Sequence, residues 1–286
     1  MKKELTEAKL FINNIKDKFF TVLIVFLSIA MVIPLILILF YIFRNGIMAI
    51  NWELFFNIPK PTGERGGGVS NAIVGSLILI FFACIIALPV GIASGIYLSE
   101  NKSGKLAQIA RVTVDVLQGI PSIVIGIIAY IWIVVPSKSF SAISGSVSLA
   151  IMMLPVVIKN TEETLKLIPL SLKEAAYALG VPYHRVILKV VLPAGLSGVL
   201  TGILVSVARI AGETAPLLFT AFGNPFFSTN LFKPIEALPH IIFKYASSPY
   251  EDWQSIAWGA SLILVAFVLF LNLIAKVVSK KWKVKF

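Results

Sequence analysis

The stretch FFTVLIVFLSIAMVIPLILILFYIF, residues 19–43, runs for 25 positions without a charged side chain. A helix needs about 20 apolar residues to cross the hydrocarbon core of a bilayer, so this run is long enough to span one. Pro34 inside it is no obstacle, because neighbouring helices can satisfy the carbonyl that a proline frees. Asn13 to Lys18 supplies a positive flank and no small-residue cleavage site follows. The run therefore reads as a retained anchor rather than a signal peptide.

Five further runs of the same kind follow, giving expected spans at about 70–99, 112–135, 140–158, 190–222 and 253–278. Between the fourth and fifth lies a polar loop, 159–189. A cytoplasmic segment, 1–18, precedes the transmembrane region 19–278, and a basic tail, 279–286, follows it. Composition agrees: the 286 residues are 58% hydrophobic and 14% charged, whereas soluble chains carry about 25% charged residues. That excludes both a soluble domain and a disordered chain. The fold class expected is an all-α, polytopic transmembrane helix bundle of six spans.

The net charge of +11 is a matter of topology. With both termini on one side, Lys and Arg there outnumber those on the other side by about three to one, which marks that side as cytoplasmic. Basic rims of this kind serve orientation and contact with anionic membrane lipid rather than nucleic acid.

Several chemistries lack their residues. Gly104-Lys105 is followed by Leu106, and Gly66-Gly67-Gly68 has no lysine after it. Neither can form the glycine-rich turn ending in Gly-Lys-Ser/Thr that cradles nucleotide phosphates, so the chain is not expected to hydrolyse ATP. His184 and His240 fall on opposite expected sides, so no metal site is expected. Cys84 reads as a small apolar filler.

One basic residue, Arg209, falls inside an apolar run. Holding it there costs about 2.5–3.5 kcal/mol on insertion scales, which makes it a functional candidate. Glu213 follows four residues on, one turn away on the same helix face. A guanidinium is permanently charged and its planar fork matches two oxygens of a tetrahedral anion. A carboxylate one turn away could take it back when the anion leaves. The alternative is a structural ion pair holding the fifth helix to the bundle. Lys159 and Glu162, three residues apart at the end of the fourth run, form a second expected pair, which topology and snorkelling explain equally well. Arg111 and Asp115 form a third, read as structural. Gly119-Ile120-Pro121 is expected to loosen the third helix beside Thr113, Gln118 and Ser122.

Within 159–189, Ser171 to Leu179 favours a helix of about two turns, which Gly180 and Pro182 stop. Leu172, Ala175, Ala176 and Leu179 recur at helical spacing on one face.

Glu174-Ala175-Ala176, with Gly180 four residues after Ala176 and Leu192-Pro193 beyond, resembles the EAA loop of ABC-transporter permeases, with Val190 where that motif carries isoleucine. Three other stretches are similar to the PstA-type permeases of phosphate importers: Gly66-Gly67-Gly68 with Asn71-Ala72-Ile73-Val74-Gly75, Gly119 to Gly126, and Ala208-Arg209-Ile210-Ala211-Gly212-Glu213-Thr214-Ala215-Pro216. In that family the position of Lys159 usually carries arginine.

The resemblance implies an ABC-importer permease in the cytoplasmic membrane of a prokaryote, forming half of a phosphate pathway. It implies a PstC-type permease, two PstB-type ATPase subunits and a PstS-type phosphate-binding protein as partners. ATP and Mg are then used by the ATPase, with no cofactor bound by this chain, and Glu174, Ala175, Ala176 and Gly180 dock into it. The substrate pathway would include Arg209, Glu213, Lys159 and Glu162. A permease for another oxyanion (phosphonate, molybdate or sulfate), an ion-coupled secondary carrier and a non-transporting scaffold are the rival readings.

Overall fold

The computed structural model describes the backbone of residues 2–64 and 66–281 and the side chains of residues 16–64 and 66–280. Helix α1, Lys2–Ala49, contains the first apolar run. Its side chains from Lys16 to Tyr41 are exposed on every side, as suits a helix with no polar face whose solvent is lipid. It meets the bundle only near its end, where Gly46 abuts Leu262 and the Trp258 carbonyl. A single turn, α2 (Trp52–Phe56), follows, capped by the Asn51 side chain on the Leu54 amide at 2.7 Å.

The core is built on α3 (Ser70–Glu100) and α6 (Ala142–Lys166), which run parallel. Gly145 meets Leu79, Gly91 meets Val157 and Gly95 meets Thr161, a constant register along both helices. A Cβ at Gly95 would lie 2.5 Å from that of Thr161. Small residues bring the backbones together, which is how helices gain packing in a solvent as apolar as their own side chains. The antiparallel α8 (Tyr183–Ala211) closes on the other side of α6, with Gly195, Gly198 and Gly202 against Leu165, Thr164 and Asn160. The last helix, α11 (Glu251–Lys281), packs on α8 and α1. The end where α3 and α6 finish carries Lys102, Lys166 and Lys173 and is called the basic end; the other is the far end.

The third expected span, 112–135, is not one helix. Helix α4 (Lys105–Gly119) stops at Ile120, and α5 (Ser122–Ser137) leaves at 105° to it. Pro121 has no N–H to return to Leu117 and holds Ile120 in an extended conformation (φ −71°, ψ 129°).

The fifth, 190–222, is likewise interrupted. It starts seven residues earlier than expected and ends at Ala211, and a separate helix α9 (Ala215–Thr220) resumes after Gly212 to Thr214. Gly212 caps the helix end, and Pro216 supplies no N–H for the Gly212 carbonyl. Prolines also explain two π-turns, Tyr130–Val134 and Ile187–Val191, each just ahead of the hydrogen bond that Pro136 or Pro193 cannot make.

The fourth helix runs two turns past the expected 158. Its charged end is held by side chains of α4 rather than released to solvent. Among the described residues five helices are thus long and apolar enough to cross a membrane, and six segments are if the α4–α5 pair counts as one. Among the described residues there is no strand, only an isolated bridge between Phe222 and Ile235.

At the far end the chain folds back over the bundle. Phe222 stacks on Phe140 at 4.5 Å, and α10 (Leu238–Ala246) is fastened to α3 by the Leu238 amide donating to Ser76 Oγ at 2.8 Å. Of the aromatic residues at this end, Phe226, Phe227 and Phe232 are exposed, whereas Tyr245 is buried and stacked on Trp253 at 4.4 Å.

Candidate functional site: a charged seam beside two broken helices

Arg111 and Asp115 of α4 pair across to Glu162 and Lys159 of α6 rather than along their own helix. Arg111 Nε donates to Glu162 Oε1 at 2.7 Å, and Lys159 Nζ donates to Asp115 Oδ1 at 3.0 Å. Because α4 and α6 are antiparallel, residues one turn apart on each helix form two consecutive rungs. The expected pairs Lys159–Glu162 and Arg111–Asp115 are therefore corrected: each residue's partner is on the facing helix. Lys166 Nζ also donates to Glu162 Oε1, at 2.5 Å.

The two rungs differ in environment. Glu162 is 8% exposed and receives two cations, while Lys159 and Asp115 are 44% and 63% exposed. The inner rung is a closed structural joint, and the outer one keeps an accessible ammonium. Arg111 does more than pair. Its Nη2 donates to the carbonyls of Leu98 and Asn101 at 2.7 and 2.9 Å, and its Nη1 to that of Lys102 at 3.0 Å. Those are the orphan acceptors at the end of α3, where the helix dipole also favours a cation.

Arg209 lies deeper. Ile210 and Ala211 beside it line a small cavity with Leu79, Ile80 and Leu149, about a third of the way along α3 and α6 from the far end. Its own side is the exposed stripe of α8 that also carries Val205 and Gly212. Among the described residues it has no hydrogen-bond or ion-pair partner. The expectation that Glu213 sits one turn on along the same helix is corrected: the helix ends at Ala211, and Glu213 lies in the break, where its N–H bonds the Ile210 carbonyl at 3.2 Å.

The two interrupted spans meet. Helix α9 packs on α5 with Gly126 against Pro216, so closely that a Cβ on Gly126 would stand 2.6 Å from the Pro216 Cα. The helices that resume after the Ile120–Pro121 bend and after the Gly212–Thr214 break thus pack on one another. Discontinuous helices at mid-depth are where membrane proteins present backbone groups to a solute.

At the basic end, α7 (Leu170–Ala178) is the short helix expected there. It ends in a Schellman turn: Gly180 has φ +72°, its N–H bonds the Tyr177 carbonyl, and the Val181 N–H bonds that of Ala176. Open space around Gly180 means that only its backbone conformation demands glycine. The single apolar face expected from spacing divides. Ala176 is buried among Leu165, Ile168, Val186 and Ile187, and Leu172 packs on them, whereas Ala175 and Leu179 face outward with Glu174. Two residues beyond the sequence reading complete this end: Lys173 of α7 donates to Glu100 at the end of α3. An acid closing an apolar run is the signal that points to it.

The family model described as "Binding-protein-dependent transport system inner membrane component" matches residues 87–284. The phosphate transport system permease protein PstA of Yersinia pestis is 47% identical over 250 residues, covering 87% of this chain and 85% of that protein. This chain belongs to the PstA family. A second member, PstA of Xylella fastidiosa, is 42% identical and covers 81% of each chain. A solved structure of the MetNI methionine ABC transporter in an inward-facing conformation superposes with a TM-score of 0.59 at 20% identity, over 75% of this chain and 94% of that one. It shows the ABC-importer permease fold. As a PstA family member the chain is a multi-pass protein of the cytoplasmic membrane and a membrane component of a binding-protein-dependent transport system.

Proposed function

We propose that this chain is one of two permease subunits of an ATP-driven inorganic phosphate importer, with its termini and basic end in the cytoplasm. Its partners in this reading are a PstC-type permease, two PstB-type ATPase subunits that use ATP and Mg, and a PstS-type binding protein at the far end. The chain itself binds no nucleotide. Glu174, Ala175, Ala176 and Gly180 present the outward face of α7 to the ATPase.

The observation that carries the reading is Arg209, a permanent cation inside an apolar run just ahead of the Gly212–Thr214 break, with no counter-charge among the described residues of its own chain. Such a group requires an anion from elsewhere. A phosphate passing between this subunit and its partner is one, and the guanidinium fork fits two of its oxygens. Glu213, in the adjoining break, receives the guanidinium as the anion leaves, since conduction needs binding weak enough to release. Lys159, held only by the exposed Asp115, is the next cation toward the basic end. Glu162, already shared between Arg111 and Lys166, keeps that route's wall closed.

The test is ATP-dependent phosphate uptake by liposomes holding the assembled complex. Arg209→Gln is expected to abolish uptake while assembly is unchanged, and normal uptake by that variant overturns the relay. Competition by molybdate, sulfate or phosphonate at equal concentration would assign the pathway to another oxyanion.

A further inference from the structure

We propose that Lys173 and Glu100 are the ionic linkage that makes the end of α3, and with it α4, move with α7. They are positioning residues for transport, an inference that rests on the reading that α7 receives the motion of the ATPase.

Helix α7 is fastened to the membrane helices in two ways. One is apolar: Ala176 and Leu172 pack on Val186 and Ile187, the root of α8. The other is the ion pair of Lys173 with Glu100, whose side chains are only 12% and 13% exposed. An exposed pair contributes little because water and salt screen it, but this one is largely withdrawn from water. Its placement is also informative. Glu100 is the last residue of α3, where the helix dipole disfavours an anion, so a cation must be supplied from outside that helix. Lys173 supplies it from α7.

From Glu100 the connection continues without a gap. The carbonyls of Leu98, Asn101 and Lys102 are gripped by Arg111 of α4, and Arg111 holds Glu162 of α6. Lys159 lies one turn further along α6. A displacement of α7 therefore reaches α8 and the end of α6 by packing, through Val186, Ile187 and Leu165, and reaches the end of α3 and Arg111 of α4 by this polar chain. If the ion pair is broken, α7 keeps its apolar seat on α8 and α6 and loses its polar tie to the end of α3.

Two measurements on the reconstituted complex test this. In the first, ATP hydrolysis and phosphate uptake are compared. Lys173→Met and Glu100→Gln should each lower uptake about tenfold while at least half the hydrolysis remains. The double variant should be no worse than either single one, and Lys173→Arg should stay within twofold of the parent. Equal losses of both activities, additive losses, or no loss overturn the proposal.

The second measurement needs no transported solute. Spin labels at Ser171→Cys on α7 and Leu106→Cys on α4, in a Cys84→Ser background, should keep their separation when ATP binds. With Lys173→Met added, the separation should change. A separation that already changes without Lys173→Met, or one that stays fixed with it, overturns the linkage. A parent complex that moves no phosphate would refute the proposed substrate, and the label distances would still decide the linkage.

Discussion

Arg111 of α4 and Glu162 of α6 stand 2.7 Å apart, Nε to Oε1, where two helices and the end of a third converge. The arginine also closes three carbonyls at the end of α3, so one side chain joins three helices that have few polar groups elsewhere along their contacts. Glu162 is the buried partner, and it is matched by two cations, Arg111 and Lys166.

Breaking that contact from either side should be costly. Removing one member of a buried pair costs about 3–5 kcal/mol when the charge left behind has no other partner; here Glu162 keeps Lys166 and Arg111 keeps its carbonyls, so the loss should fall below that range. Arg111→Ala should cost more than Glu162→Gln, because it also frees three carbonyls, whereas the glutamine still accepts a hydrogen bond. Thermal unfolding of the purified protein in detergent measures the order, and equal midpoints for the two variants would contradict it.

The neighbouring rung should behave in the opposite way. Lys159 and Asp115 are exposed, and an exposed pair contributes little because water and salt screen it. Lys159→Ala is expected to shift the unfolding midpoint little and yet reduce phosphate uptake, with Lys159→Arg retaining uptake. A large loss of stability with unchanged uptake would make the lysine structural.

The contact between the two broken helices is steric. A methyl group at Gly126 has no room before the Pro216 backbone, and overpacking typically costs about 1–3 kcal/mol. Gly126→Ala should lower stability by that order and separate α5 from α9. Gly119, which has open space around it, should accept alanine with a much smaller effect.

At the far end, burial and then the charge of Glu236 push the Tyr245 phenol up to about 12 from its ordinary 10. A group whose pKa is raised on folding contributes its stabilisation in full below the unfolded value. The contribution disappears as pH rises through the folded one. Stability should therefore be insensitive to Tyr245 below about pH 10 and fall between about 10 and 12. Tyr245→Phe keeps the stack on Trp253 and should remove that part of the alkaline loss. A melting series across this range, with and without the substitution, reads the difference.

The apolar runs make the helices legible in sequence, because a bilayer admits backbone only when each N–H and C=O is paired within its segment. Pro121 and Pro216 are equally visible, yet a proline in a membrane helix is compatible with a straight span, a kink or a full reversal. The 105° turn after α4 and the break after α8 depend on what receives the freed groups, and Gly126 meeting Pro216 is part of that answer. Charge pairing shows the same division. Three- and four-residue spacings predict Arg111–Asp115 and Lys159–Glu162 along single helices, and Arg209–Glu213 along a continued one. The antiparallel approach of α4 and α6 redirects the first two, and the helix end at Ala211 removes the third.

Sequence alone determines that this chain lives in a membrane, which way its basic rim is biased, that it carries one cation deep in an apolar run, and that a short helix ending in glycine projects from one side. These are properties of local composition and of solvent, and they need no partner. Which side chains face one another is set by the register between helices distant in the chain. Only the packed bundle decides that Glu162 is closed off, that Lys159 is accessible, that Arg209 is left without a counter-charge among the described residues, and that Lys173 reaches Glu100. The physical reason is that a side chain several ångströms long finds its partner across an interface. The position of that interface comes from glycine contacts and helix breaks distributed over the whole fold.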